Sequence, residues 1–152
     1  MSNLLNRCFL AAFAAAPLLA GGFWIQLGNP DANPEAKSKG AIAVVKPAGC
    51  HNPEKALVTG TVEGIVNGRR VSHPLTLVAL STPGEYAVTS SRPEQGPWVV
   101  ALTAQDGDRV TGAIFVVEPN GFTRNGAQFV PHAPTSGEVQ TALNAVSALK
   151  AP

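Results

Sequence analysis

Two alternating runs meet at Asn67-Gly68, and that junction constrains the fold more than any other feature of the chain. Leu57 to Val66, LVTGTVEGIV, places Val58, Val62 and Val66 on one face, with Gly60 and Gly64 between them. Thr59, Thr61 and Glu63 fall on the other face. A period of two is the pattern of a half-buried strand. Asn and Gly both accept positive φ, so the dipeptide predicts a tight hairpin turn. The return run, Arg69 to Leu80, carries Val71, His73, Leu75, Leu77 and Ala79 on one face. Pro74 lies inside this run and cannot donate to a ladder, which predicts an edge strand or a bulge.

The stretch Pro83 to Ala104 extends the pattern as two strands around a Pro/Gly-rich loop, Ser91 to Pro97. Tyr86 and Val88 share one face of the first strand, and Trp98, Val100 and Leu102 one face of the second. Trp98 and Tyr86 are the large side chains expected to anchor the core. Asp106-Gly107 predicts another hairpin turn. Val110 to Glu118 is apolar on both faces, as a central strand is. Gln128 to Val130 is a short strand candidate, as is Ala41 to Lys46, with Pro47 to Lys55 as the loop after it. At the C-terminal end, Thr135 and Glu138 stand in capping-box spacing ahead of Val139, Ala142, Leu143, Val146 and Leu149. That recurrence predicts a helix from about Gly137 to Lys150. Short strands separated by turn signals predict a mainly β fold, an antiparallel β-sandwich with a C-terminal helix. The expected core is Val58, Val62, Val66, Leu75, Leu77, Tyr86, Val88, Trp98, Val100, Leu102, Ile114 and Val116.

Residues 1–22 have the plan of a secretory signal peptide: one arginine, the apolar run CFLAAFAAAPLLA, and small residues at Ala20-Gly21-Gly22. The uncharged run continues through Phe23 to Leu27, and about 20 such residues can also serve as an N-terminal anchor. Cys8 lacks the small residue that a lipoprotein signal sets before its cysteine. Residues 23–40 are expected to be a disordered tether, because NPDANPEAKSKG is polar, carries two prolines and has no periodicity. The division is then 1–22 signal peptide or anchor, 23–40 tether, 41–133 sandwich, and 134–152 C-terminal helix and tail. The expected location is periplasmic or secreted, or membrane-anchored and facing outside the cytoplasm.

Charge narrows the function. Lys plus Arg is 11 against 10 for Asp plus Glu, and removal of Arg7 leaves 10 against 10. A nucleic-acid surface needs clustered cations, as does a polybasic membrane patch, so neither partner is expected. Contact with a membrane is expected only through an uncleaved N-terminus. Asp106 and Asp108 are too few to hold calcium, which takes six or more oxygens. No nucleophile elbow, His-Glu-x-x-His, dinucleotide or phosphate-loop motif is present, and the chain is read as a non-enzyme.

Cys50-His51 is the one unusual pair. Both are ligands for soft metals, and His73 or His132 could complete a copper or zinc site. The alternatives are a plain loop thiol beside a solvated histidine, or a Cys50-linked dimer in an oxidising compartment. The pair lacks Cys-x-x-Cys spacing, and no resident cofactor is expected. His73 shares the face of Leu75 and Leu77 and is expected at the rim of the core, bonded to backbone. His132 lies between prolines and reads as an exposed loop residue. Arg69 and Arg70 beside the Asn-Gly turn read as a solvated hairpin tip.

Pro83-Gly84-x-Tyr86, followed by Pro93, Gly96, Trp98 and Val100, resembles a pattern in the YtkA-like and FixH-like families of extracytoplasmic domains. The likeness covers roughly Thr59 to Thr103. It implies an Ig-like or transthyretin-like sandwich in the cell envelope, in families sometimes linked to copper handling or oxidase assembly. Copper-handling sandwiches usually offer methionine and histidine clusters, and the sole methionine here is Met1. The expected function is a non-enzymatic exported domain with a binding or accessory role toward an envelope protein. The alternative is a periplasmic metal-binding accessory protein using Cys50 and His51.

Overall fold

The computed structural model describes residues 22–49, 52–89, 98–118, 121–122 and 126–149. Its strands are β1 (Phe23–Gly28), β2 (Ala43–Gly49), β3 (Leu57–Val66), β4 (Arg69–Pro74), β5 (Leu77–Ala79), β6 (Tyr86–Val88), β7 (Trp98–Asp106), β8 (Arg109–Glu118), β9 (Gly121–Phe122) and β10 (Gln128–Val130). Two helices accompany them, α1 (Pro34–Ser38) and α2 (Ser136–Leu149). The strands form two antiparallel sheets, ordered β1-β2-β6-β5 and β10-β8-β7-β3-β4, with β9 pairing β8. The fold is mainly β, as the alternation and turn chemistry predict.

The core lies between the sheets. Ile25, Leu27, Val45 and Val88 of the first sheet meet Val62, Trp98, Val100, Leu102 and Phe115 of the second. The second sheet also buries its outer face, where Val99, Ala101 and Ile114 lie under Val139, Ala142, Leu143 and Val146 of α2. Ile114 and Val116 therefore belong to the helix-covered layer rather than to the inter-sheet core. Phe115, missing from the expected core, heads its largest fully buried side chains, whereas Tyr86 is only half-buried. β7 and β8 are buried on both faces, so neither alternates in polarity.

The Asn67-Gly68 turn is as predicted, with φ of 50° and 73° at its two central residues. It sets Val66 opposite Arg69 and fixes the register of the whole hairpin. The second hairpin turns one residue later than its Asp-Gly pair suggests. Asp106 pairs Arg109, and Gly107 alone takes positive φ, at 59°. The run Arg69 to Leu80 is not one strand. β4 ends at Pro74 on the edge of its sheet, the Leu75 amide donates to Gly60 O at 2.9 Å, and β5 crosses to the other sheet to pair β6. Pro74 can stand there because an edge strand needs no donor on its free side. Residues 47–49, expected in a loop, extend β2.

The largest correction concerns residues 23–40. They are not a disordered tether: they hold β1, a 3-10 turn at Pro30–Ala32, and α1. Phe23, Ile25 and Leu27 turn inward and join the core. Asn29 and Asn33 each accept a backbone amide as N-caps, at 2.9 and 3.0 Å, and Pro30 and Pro34 occupy the first helical positions. Two Asn-Pro pairs that look like disordered composition are two helix starts. α1 then seats Ala36 with Val44, Leu80 and Ala87 on the outer side of the first sheet.

α2 begins at the predicted capping box. The Thr135 amide and hydroxyl both donate to Glu138 Oε2, at 2.8 and 2.9 Å, and the Glu138 amide donates to Thr135 Oγ1 at 3.3 Å. The Thr135 amide, then the Thr135 hydroxyl, hold the Glu138 carboxyl below its ordinary value of 4.5, and His132 adds a smaller pull. Glu35 is lowered in the same way by the Ser81 amide and hydroxyl. A depressed carboxylate favours the folded state above the unfolded pKa, and that contribution is lost as pH falls through the folded value. Amide protection of the first turn of α2 is therefore expected to fall on acidification below about pH 4.5. Glu138→Gln should remove that pH step, which hydrogen exchange across an acid titration would read.

Candidate docking surface

β1 lies at the end of the first sheet, and its outer edge pairs with no strand among the described residues. Its sequence, FWIQLG, contains no charge and no proline. Natural edge strands are usually blunted by charge, proline, brevity or a bulge, because bare backbone invites another strand. The other sheet ends follow that rule. β4 carries Arg69 and Arg70 and ends on Pro74, while β5 and β10 are three residues each. β1, with six residues, is the exception.

Beside this edge runs a groove of about 470 Å³, lined by Trp24, Gln26, Val44, Lys46, Glu85 and Phe129, with Ile25, Leu27 and Gly28 along its floor. Alternation puts Trp24 and Gln26 on the outer face, because Ile25 and Leu27 are spent on the core. Trp24 is 44% exposed and Phe129, reaching from β10, is 47% exposed. Two half-exposed aromatics on one groove offer apolar area without the entropy cost of long flexible side chains. Gly49, at φ +76°, lies under the Trp24 ring, since a Cβ there would come within 2.5 Å of it. Lys46 Nζ and Glu85 Oε1 pair at 3.1 Å on the same outer face, leaving the groove without net charge. Sequence reasoning missed this site because Phe23 to Leu27 was read with the apolar run before it. The period-two spacing of Phe23, Ile25 and Leu27 was the available signal, blurred by Trp24 between them.

A second groove, of about 570 Å³, lies on the other sheet beside the start of α2, lined by Thr59, Thr61, Glu63, Arg70, Thr103 and Ser136 among others. Glu63 is 8% exposed. Its Oε2 accepts from Arg70 Nε and lies by Arg70 Nη2, both at 2.6 Å, and its Oε1 accepts from Thr61 at 2.9 Å. Arg70 Nη1 donates to Ser136 O and Oγ, each at 2.9 Å. Arg70 is therefore no solvated tip. It ties the β3–β4 hairpin to the first turn of α2, and the donors and acceptors of the network are used within the protein. That arrangement suits a structural clamp better than a ligand site.

Cys50 and His51 lie outside the described residues. His73 is exposed, and its ring stacks on the core residue Trp98 with centroids 6.3 Å apart and planes at 29°. His132 is exposed, with Nε2 at 3.6 Å from Glu138 Oε1. Among the described residues no three His, Cys, Asp or Glu side chains gather to hold a metal. Among them also no helix is long and apolar enough to cross a membrane. No family model, curated protein or solved structure matches the chain.

Proposed function

We propose that this chain is an exported, non-enzymatic β-sandwich that works by binding another envelope protein at the β1 groove. The observation that carries the reading is the pairing of Trp24 and Phe129, each about half exposed, beside a strand whose outer edge pairs with no other among the described residues. Exposed aromatics around a groove mark interaction sites more often than isolated apolar residues do. Export is supported by the bounds of β1. Because Phe23–Gly28 is a strand of the core, the uncharged stretch left ahead of it is Cys8 to Gly22, roughly 15 residues. That suits the core of a signal peptide and falls short of the about 20 residues a spanning helix needs. The sequence likeness to YtkA-like and FixH-like domains points to the same compartment.

The double variant Trp24→Ser/Phe129→Ser tests the binding surface. Both side chains are half exposed, so its unfolding free energy should stay within about 1 kcal/mol of the parent. Its co-purification with envelope partners should be lost. Retained co-purification would remove the groove from the binding reading.

A further inference from the structure

We propose that the partner at the β1 edge is a second copy of this chain, joined strand to strand so that two four-stranded sheets become one. The inference rests on the binding reading above and names its partner. Along the edge of β1 that pairs with no strand among the described residues, every second residue turns its N–H and C=O outward, and extended backbone is what satisfies such a row. A second β1 fits it in three respects. First, residues opposite one another in an antiparallel pair share a face, so the register must preserve inward and outward positions. With Ile25 on the two-fold axis, Phe23 stands opposite Leu27 of the second copy and Trp24 opposite Gln26. The inward apolar row of Phe23, Ile25 and Leu27 then runs on across the junction. Second, β1 is uncharged, Lys46 and Glu85 neutralise each other at 3.1 Å, and the chain without Arg7 carries 10 cations against 10 anions. Two copies therefore approach without like-charge repulsion. Third, a closed two-fold contact uses up the edge, which leaves no further strand to recruit.

Sedimentation velocity decides the matter, using the protein as its host exports it, extracted from the envelope and kept in reductant so that no Cys50 disulfide contributes. The expected mass is twice that of one chain. The double variant Trp24→Lys/Gln26→Lys sets lysine opposite lysine at two cross-strand pairs, and its mass should halve while its unfolding midpoint stops depending on protein concentration. Trp24→Glu/Gln26→Glu should do the same if the lysine variant folds poorly. Ser72→Lys on the β4 edge should leave the dimer intact. A parent protein that sediments as one chain overturns the inference, as does a dimer that survives the lysine or glutamate pair. A single-chain species that still crosslinks from position 24 to a different envelope protein sinks the second copy but spares the binding reading. A single-chain species with no crosslink removes both.

Discussion

Trp98→Ala is expected to lower the unfolding free energy by about 3–5 kcal/mol, as truncation of a buried aromatic does. Trp98 is 3% exposed and lies between the sheets with Val100, Leu102 and Phe115. Its ring lies flat over Gly64, its cross-strand partner, where an added Cβ would come within 2.6 Å of the indole. His73 covers part of the ring from β4. Gly64 has no side chain to fill the space, and His73 is held on a strand. Two companion changes separate the parts. Gly64→Ala pushes on the ring and should cost about 1–3 kcal/mol, as overpacking does. His73→Ala removes only the stack and should cost about 0.5–1.5 kcal/mol. With a total stability of about 5–15 kcal/mol, the tryptophan variant should show a large drop in urea midpoint. An unchanged midpoint would contradict the core position of Trp98.

The second large effect is expected at Arg70. Arg70→Ala leaves the carboxylate of Glu63, whose side chain is only 10% exposed in the parent, without its cation, and breaking such a pair costs about 3–5 kcal/mol. The Arg70 side chain is 26% exposed, so solvent reaches one end and the low end of that range applies. The variant also loses both bonds to Ser136, so α2 should lose amide protection at its first turn before the sheets open. Replacing both partners, as Glu63→Leu/Arg70→Leu, should recover most of the loss, because a buried ion pair can often be exchanged for apolar packing. If Arg70→Ala costs no more than an ordinary surface change, the clamp is decorative.

Much of the fold was legible where the signal is local. Asn67-Gly68 gave its hairpin because positive φ at two residues is a chemical requirement. Thr135 and Glu138 gave the start of α2 because the capping box is closed within four residues. What could not be read depends on distant partners. The strand switch after Pro74 is decided by β6, which receives β5 on its free edge. The half-burial of Tyr86 and the full burial of Phe115 depend on which sheet faces which. The Glu63–Arg70 pair was within reach. The turn sets Ile65 opposite Arg70 and Glu63 opposite Ser72, so Arg70 stands one diagonal from Glu63 on the same face. β1 was hidden by its neighbour. Four of the five residues in FWIQL are apolar, so they merge with the run before them unless burial reveals the alternation.

The working surface can be tested in the living cell by placing a photo-crosslinking side chain at Trp24 and, in a second strain, at Ser72 on the opposite sheet's edge. Position 24 should give a discrete crosslinked product, at twice the chain's mass if a second copy is the partner, while position 72 should give none. No product from position 24 in a folded, normally exported protein, or equal products from both positions, would contradict a docking site at the β1 groove.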